Sequence, residues 1–194
     1  MVRDNDKVLI IAAAEGDDDA FSEIVERYQR PVYNLCYRLL GNHGDAEDAS
    51  QEAFMKAYKG LKKYDPQRPF MSWMLAIAYN QCVDQLRRKR INWVGLEALF
   101  DRSDQQSPSA EAAAVASGEA EQVQEALSTL NTKDRAAVVL RYWYDYSYDE
   151  IAETLNLTNS AVKSRLHRAR SELMDVWTAE QLALGDGQNE VSPA

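Results

Sequence analysis

The chain has 194 residues, of which 45% are apolar and 27% charged. That is enough for one large domain or two small ones with a real core, and it excludes a wholly disordered, collagen-like or disulfide-stapled chain. No run approaches the roughly 20 apolar residues of a membrane span, and Met1 to Lys7 lacks the basic-then-apolar order of a secretory leader, so a cytoplasmic protein is expected.

A net charge of −9 would by itself argue against nucleic acid as a partner, but the charge is unevenly spread. Residues 1–20 carry two bases against six acids, residues 91–130 one against seven, and residues 174–194 no base against four acids. What remains is net positive, with 12 bases against 8 acids over 21–90 and 7 against 6 over 131–173. The bases cluster further, as Arg87, Arg88, Lys89 and Arg90 and as Lys163, Arg165, Arg168 and Arg170. Such clusters suit phosphate contact, because each neutralised phosphate releases condensed counterions.

Helix signals recur and strand signals hardly appear, so an all-α fold is expected. Asp17 to Asp19 can cap a helix whose apolar positions Phe21, Ile24, Val25 and Tyr28 follow helical spacing. Pro31 permits only a kink or a fresh helical start, continued by Val32, Leu35, Cys36 and Leu39 and ended by Gly41. Gly44 and Asp45 open a further helix, with acids in its first turn and Lys59, Lys62 and Lys63 at its end, as the helix dipole favours. Pro66 and Pro69 force Tyr64 to Pro69 into a loop, after which a long helix runs from about Phe70 to Arg90. Between about Asn92 and Gly118 the composition turns to Ser, Gln, Ala and acids, which reads as a flexible acidic linker. Helices return around Val123 to Leu130 and Val138 to Trp143, and the tail from residue 179 is expected to fray. The expected organisation is two small, separate helical domains, residues 1–92 and 119–178, joined by a linker at 93–118 and followed by an acidic tail at 179–194. Cys36 and Cys82 have no CxxC partner and read as reduced, packed thiols; no metal and no cofactor is expected.

The second module has the pattern of a helix-turn-helix. Ser147 with Glu150 forms a capping box, Ile151, Ala152 and Leu155 face inward, Asn156 suits a left-handed turn residue, and Val162, Leu166 and Ala169 form the inner face of the next helix. Ser160, Lys163, Ser164, Arg165, His167, Arg168 and Arg170 are left outward, able to reach base edges and phosphates in a major groove. The aromatic run Tyr142, Trp143, Tyr144, Tyr146 and Tyr148 reads mostly as packing. In the first module, the loop Asp65 to Pro69, with Gln67 and Arg68, joins a lysine-ended helix to one that begins Phe70, Met71, Ser72, Trp73. Rings, prolines and cations there could hold an unpaired base. Asn80, Asp84, Arg87 and Arg88 continue along the long helix as a polar stripe.

With these residues in place, the chain resembles the RNA polymerase sigma factors of the extracytoplasmic-function group. Asp45 to Asp48 with Gln51 and Glu52, then Phe70 to Asn80 with Asp84, Arg87 and Arg88, resemble that family's region 2. Leu140 to Tyr142, Tyr148 to Ala152 and Val162 to Arg170 resemble its region 4. Asn131 stands where the family usually has proline.

The resemblance implies an alternative-type promoter-specificity subunit, not an enzyme, that binds core RNA polymerase, recognises the −35 and −10 promoter elements and helps melt DNA. Ser160, Lys163, Ser164, His167 and Arg168 are then the −35 readers, with Arg165 on a phosphate. The Asp65 to Pro69 loop, including Gln67 and Arg68, captures a flipped −10 base, with Trp73, Asn80, Asp84, Arg87 and Arg88 beside it. Asp48, Gln51 and Glu52 dock on the clamp helices of the β′ subunit, where an acidic helix face can meet a basic partner. The β flap and an anti-sigma protein complete the implied partners; no small-molecule substrate is implied. The chief alternative is a helix-turn-helix regulator that works without polymerase. A DNA-cutting enzyme is less suited still, since the acids at Asp45 to Glu52 lie on one helix with no second acidic cluster.

Overall fold

The computed structural model describes residues 4–97 and 118–186, so most of the expected linker and the last eight residues of the tail lie outside the described part. Every regular element among the described residues is helical. The first bundle contains α1 (Asp4–Glu15), α2 (Asp18–Leu40), α3 (His43–Gly60), a short 3₁₀ turn at Leu61–Lys63 and α4 (Phe70–Glu97). The second contains α5 (Gly118–Thr129), α6 (Thr132–Trp143), α7 (Tyr148–Leu155) and α8 (Asn159–Asp186).

Local chemistry sets most boundaries. The Asp17 carboxylate accepts from the Ala20 amide at 3.0 Å and starts α2. Gly41, at φ +83°, ends it with a left-handed residue whose amide donates to the Tyr37 carbonyl at 2.8 Å. Asn42 caps α3, its side chain accepting from the Asp45 amide at 2.8 Å. Between these ends α2 is unbroken through Pro31, because Tyr28, Val32, Leu35, Cys36 and Leu39 are all buried on one side and packing outweighs the lost backbone bond.

Two segments are more helical than the sequence suggests. α4 continues to Glu97, five residues into the expected linker, and α8 continues to Asp186, eight residues into the expected tail. Residues 179–184, Ala-Glu-Gln-Leu-Ala-Leu, are good helix formers with no breaker among them. α1, which no capping signal announces, lies on α2 through buried Ile10 and Ala13. There Asp6 accepts from Arg27 Nη1 at 2.5 Å and from the Tyr28 hydroxyl at 3.0 Å.

The two bundles touch: α5 and α6 pack on α2, and α7 packs on α4. The contact runs through carbonyls of α2 that accept from side chains of the second bundle. The Gln124 amide donates to the Tyr37 and Arg38 carbonyls at 3.4 and 3.3 Å, and Arg135 Nη1 donates to the Leu39 carbonyl at 2.7 Å. The Tyr144 hydroxyl donates to the Pro31 carbonyl at 2.5 Å, and the Arg38 guanidinium lies 4.2 Å over the Trp143 ring. Burial lowers the pKa of Arg135 and raises that of Tyr144.

Candidate nucleic-acid interface

The helix-turn-helix is built as its sequence demands. Ser147 Oγ accepts from the Glu150 amide at 3.2 Å, while Glu150 Oε2 accepts from the Ser147 amide at 2.8 Å and from its hydroxyl at 2.7 Å. These bonds to the Ser147 backbone and side chain hold the Glu150 carboxyl below its ordinary pKa. Asn156 takes the left-handed conformation at φ 52°, ψ 57°, and the Leu157 amide donates back to the Ala152 carbonyl at 2.8 Å. Thr158 Oγ1 accepts from the Ala161 amide at 3.2 Å and starts α8. Ile151, Val162, Leu166 and Ala169 are fully or almost fully buried between the helices. Ser160, Lys163, Ser164, His167, Arg168 and Arg170 are exposed, so these outward positions are where the sequence places them.

Two arginines on α8 are tethered. Asp134, in the first turn of α6, has a side chain 0% exposed. Its carboxylate accepts from Arg165 Nη1 at 2.6 Å, from Arg168 Nε at 2.8 Å and Nη2 at 3.2 Å, and from Asn131 Nδ2 at 2.7 Å. Burial pushes its pKa up, but the bonds from Arg168, Arg165 and Asn131 outweigh this and hold it below the ordinary carboxylate value. Arg165 is consequently half withdrawn, its side chain 22% exposed, whereas Arg168 keeps 51% of its side chain in solvent. The sequence contains a hint of Asp134, since Asn131 and Asp134 stand at capping-box spacing, but nothing in it shows that α8 delivers both arginines to the same carboxylate.

In the first bundle the loop Asp65 to Pro69 is held by its own atoms. Asp65 Oδ1 accepts from the Gln67 amide at 2.9 Å, its carbonyl accepts from the Arg68 amide at 3.0 Å, and the Tyr64 hydroxyl donates to the Arg68 carbonyl. Asp65, Gln67 and Arg68 are exposed. Trp73 is half-buried against Tyr64 and Phe70, at ring separations of 5.0 and 5.5 Å, and so forms a wall beside the loop. Asn80, Arg87 and Arg88 are exposed farther along α4. Asp84 accepts from Arg87 Nη2 at 3.2 Å. Lys89 reaches across to Asp45 on α3, which also accepts from Gln85 Nε2 at 2.9 Å.

The loop and the helix-turn-helix touch. Arg68 Nε donates to Glu153 Oε1 on α7 at 2.6 Å, and the Ser72 hydroxyl donates to the Tyr146 hydroxyl at 3.1 Å. Glu153, Ser72 and Tyr146 were not singled out from sequence for this contact. In the first bundle, Asp48, Gln51 and Glu52 are exposed on one face of α3, continued by exposed Met55. The second bundle carries an apolar groove of about 620 Å³ beneath Tyr142, Trp143, Met174 and Trp177. Among the described residues no group of His, Cys, Asp or Glu is arranged to hold a metal ion, and no helix is long and apolar enough to cross a membrane.

Residues 24–91 match the family model of sigma-70 region 2, and residues 120–173 match that of sigma-70 region 4. The chain is 36% identical over 167 residues to the extracytoplasmic-function sigma factor SigW of Bacillus subtilis, covering 82% of this chain and 89% of SigW. It is 30% identical over 186 residues to the sigma factor CnrH of Cupriavidus metallidurans. The solved structure of CnrH in complex with the cytosolic domain of CnrY superposes with a TM-score of 0.68 at 28% identity, covering 91% of this chain and 99% of that one. A sigma factor RpoE of Bartonella quintana, solved with the anti-sigma factor NepR, shares the fold at a TM-score of 0.68 and 23% identity, covering 81% of this chain and 96% of that one.

Proposed function

The chain belongs to the RNA polymerase sigma factors of the extracytoplasmic-function group, and from that footing we propose that it joins core polymerase, reads the −35 element with α8 and opens the −10 element with the loop after α3. The observation that carries this reading is the presence, on one chain, of an exposed basic helix face and an exposed loop walled by aromatic rings. Ser160, Lys163, Ser164 and His167 reach base edges, while Arg165 and Arg168 serve the backbone and the groove. Asp65, Gln67 and Arg68 receive a base expelled from the duplex; Trp73 limits the pocket, and Asn80, Asp84, Arg87 and Arg88 carry the adjoining backbone. Asp48, Gln51 and Glu52 meet the β′ clamp helices, and the groove beneath Trp143 and Met174 offers the β flap an apolar seat. An anti-sigma protein is proposed as a further partner because RpoE is solved with the anti-sigma factor NepR, and CnrH with the cytosolic domain of CnrY.

This role requires the bundles to separate. Elements centred about 25 base pairs apart lie ~85 Å apart along B-DNA at about 3.4 Å per base pair, whereas Arg68 and Glu153 are in contact. The 20 residues 98–117 can span up to ~70 Å, which with the bundles' own widths is sufficient. The test is run-off transcription from a promoter library by core polymerase, with and without the chain. Initiation that depends on the chain is the expected result. Failure to bind core, or sequence-specific DNA binding that core does not affect, would overturn the proposal in favour of a free regulator.

A further inference from the structure

Arg165 and Arg168 occupy adjacent turns of α8 and share one buried counter-ion, Asp134. Two guanidiniums on one carboxylate leave a net charge of about +1 where the two arginines of α8 by themselves would carry +2. The geometry is also unequal. Asp134 takes two nitrogens of Arg168 and one of Arg165, and Arg165 Nε is buried without any hydrogen-bond partner. A buried ion pair that leaves a donor unsatisfied is a poor device for stability, since apolar residues of similar volume generally do as well or better. The arrangement does, however, fix a direction. With Nε and Nη2 both bonded to Asp134, the Arg168 guanidinium is held at two points while about half of the side chain stays in solvent, on a helix whose Lys163, Ser164 and His167 are also exposed.

We propose that Asp134 is a specificity-determining positioning residue. It touches no DNA itself, but holds Arg168 in one groove-facing pose and limits Arg165 to the backbone within its short reach, so that α8 discriminates between sequences instead of gripping any duplex. A free arginine pair would seek phosphates wherever they lay; an anchored one contributes less to indiscriminate binding and more to register. This inference rests on the reading of α8 as the upstream-element reader.

The experiment uses the full chain assembled with core polymerase, competing duplexes with a selected or a scrambled upstream element, over salt from about 50 to 200 mM. In Asp134→Asn only one side-chain oxygen remains to accept, and the amide group faces the second guanidinium donor to donor, so one arginine is released. The expected result is a log–log salt slope steeper by about 0.9 for the freed cation and a roughly tenfold loss of discrimination, within the range of one good base contact. A lowered melting temperature with slope and discrimination both unchanged would overturn the proposal, because that is what a merely structural carboxylate gives. If Asp134→Asn shows no cooperative melting, Asp134→Glu decides. It keeps the charge, so the slope must stay at the wild-type value, while the extra methylene displaces both guanidiniums and must reduce discrimination at least about threefold; wild-type discrimination in that variant overturns the proposal. Should the wild-type assembly itself fail to discriminate, the assignment of α8 to the upstream element falls, an outcome distinct from either of these.

Discussion

Two basic clusters of similar composition behave differently. Arg87 to Arg90 on α4 lie at the surface, with Arg87 on Asp84 one turn earlier and Lys89 on Asp45, while Arg88 is exposed. The α8 cluster is divided, with Lys163 and Arg170 in solvent and Arg165 and Arg168 tied to a carboxylate inside the protein. The first arrangement suits a backbone that is the same for every sequence; the second suits a groove in which direction matters. Where the counter-ion sits, more than how many bases there are, separates gripping from reading.

The largest expected effect comes from removing the floor under the α8 cluster. Leu166 is 1% exposed beneath the basic face, and Leu166→Ala should cost about 2 to 5 kcal/mol. Chemical denaturation should show the second bundle weakened, and upstream-element use should fall while the α4 cluster is unaffected. Next comes an acid-pH arm that separates a buried counter-ion from an exposed one. Asp134 has a depressed folded pKa, so its contribution is full above the unfolded carboxylate value of about 3.9 and is lost as pH falls through its lower folded value. The melting-temperature gap between wild type and Asp134→Asn should be constant near neutrality and close only below about pH 4.

A smaller effect tests the other cluster. Arg88→Ala should reduce the salt slope of promoter binding by about 0.9, equally for every sequence, because the loss is of one phosphate contact. Smallest in energy is the contact between the bundles. Arg68 and Glu153 are 51% and 44% exposed, so Glu153→Ala should change stability by less than about 1 kcal/mol. Its readout is the separation of fluorophores on the two bundles, expected to lengthen in the free chain.

Much of the local structure was legible from sequence because it rests on near-neighbour chemistry. Asp17, Gly41, Asn156 and the Ser147–Glu150 box each fix a boundary with atoms a few residues away. The same holds for the outward set on α8, which follows from helical spacing alone. α1 escaped notice because its apolar residues do not form a single face: Val8 and Ile11 are exposed while Ile10 and Ala13 are buried. Of the two outcomes Pro31 permits, a kink or a fresh helical start, the second does not occur: α2 runs through it as one helix. The meeting of the bundles depends on carbonyls at the end of α2 being taken by Gln124 and Arg135, more than 80 positions away, and no periodicity encodes that. Asp134 was missed for a related reason. In sequence it is one more first-turn acid, and its importance arises only when α8 folds across it.

The central claim is that α8 and the loop after α3 grip different parts of one start site. A photo-crosslinking residue placed at His167 and, separately, at Gln67, in the chain assembled with core polymerase on a promoter, tests it most directly. The account requires position 167 to mark duplex DNA upstream and position 67 to mark an unpaired strand about 25 base pairs downstream, ~85 Å away at about 3.4 Å per base pair. Crosslinks from both positions to the same base pairs, or from 67 to duplex only, would contradict it.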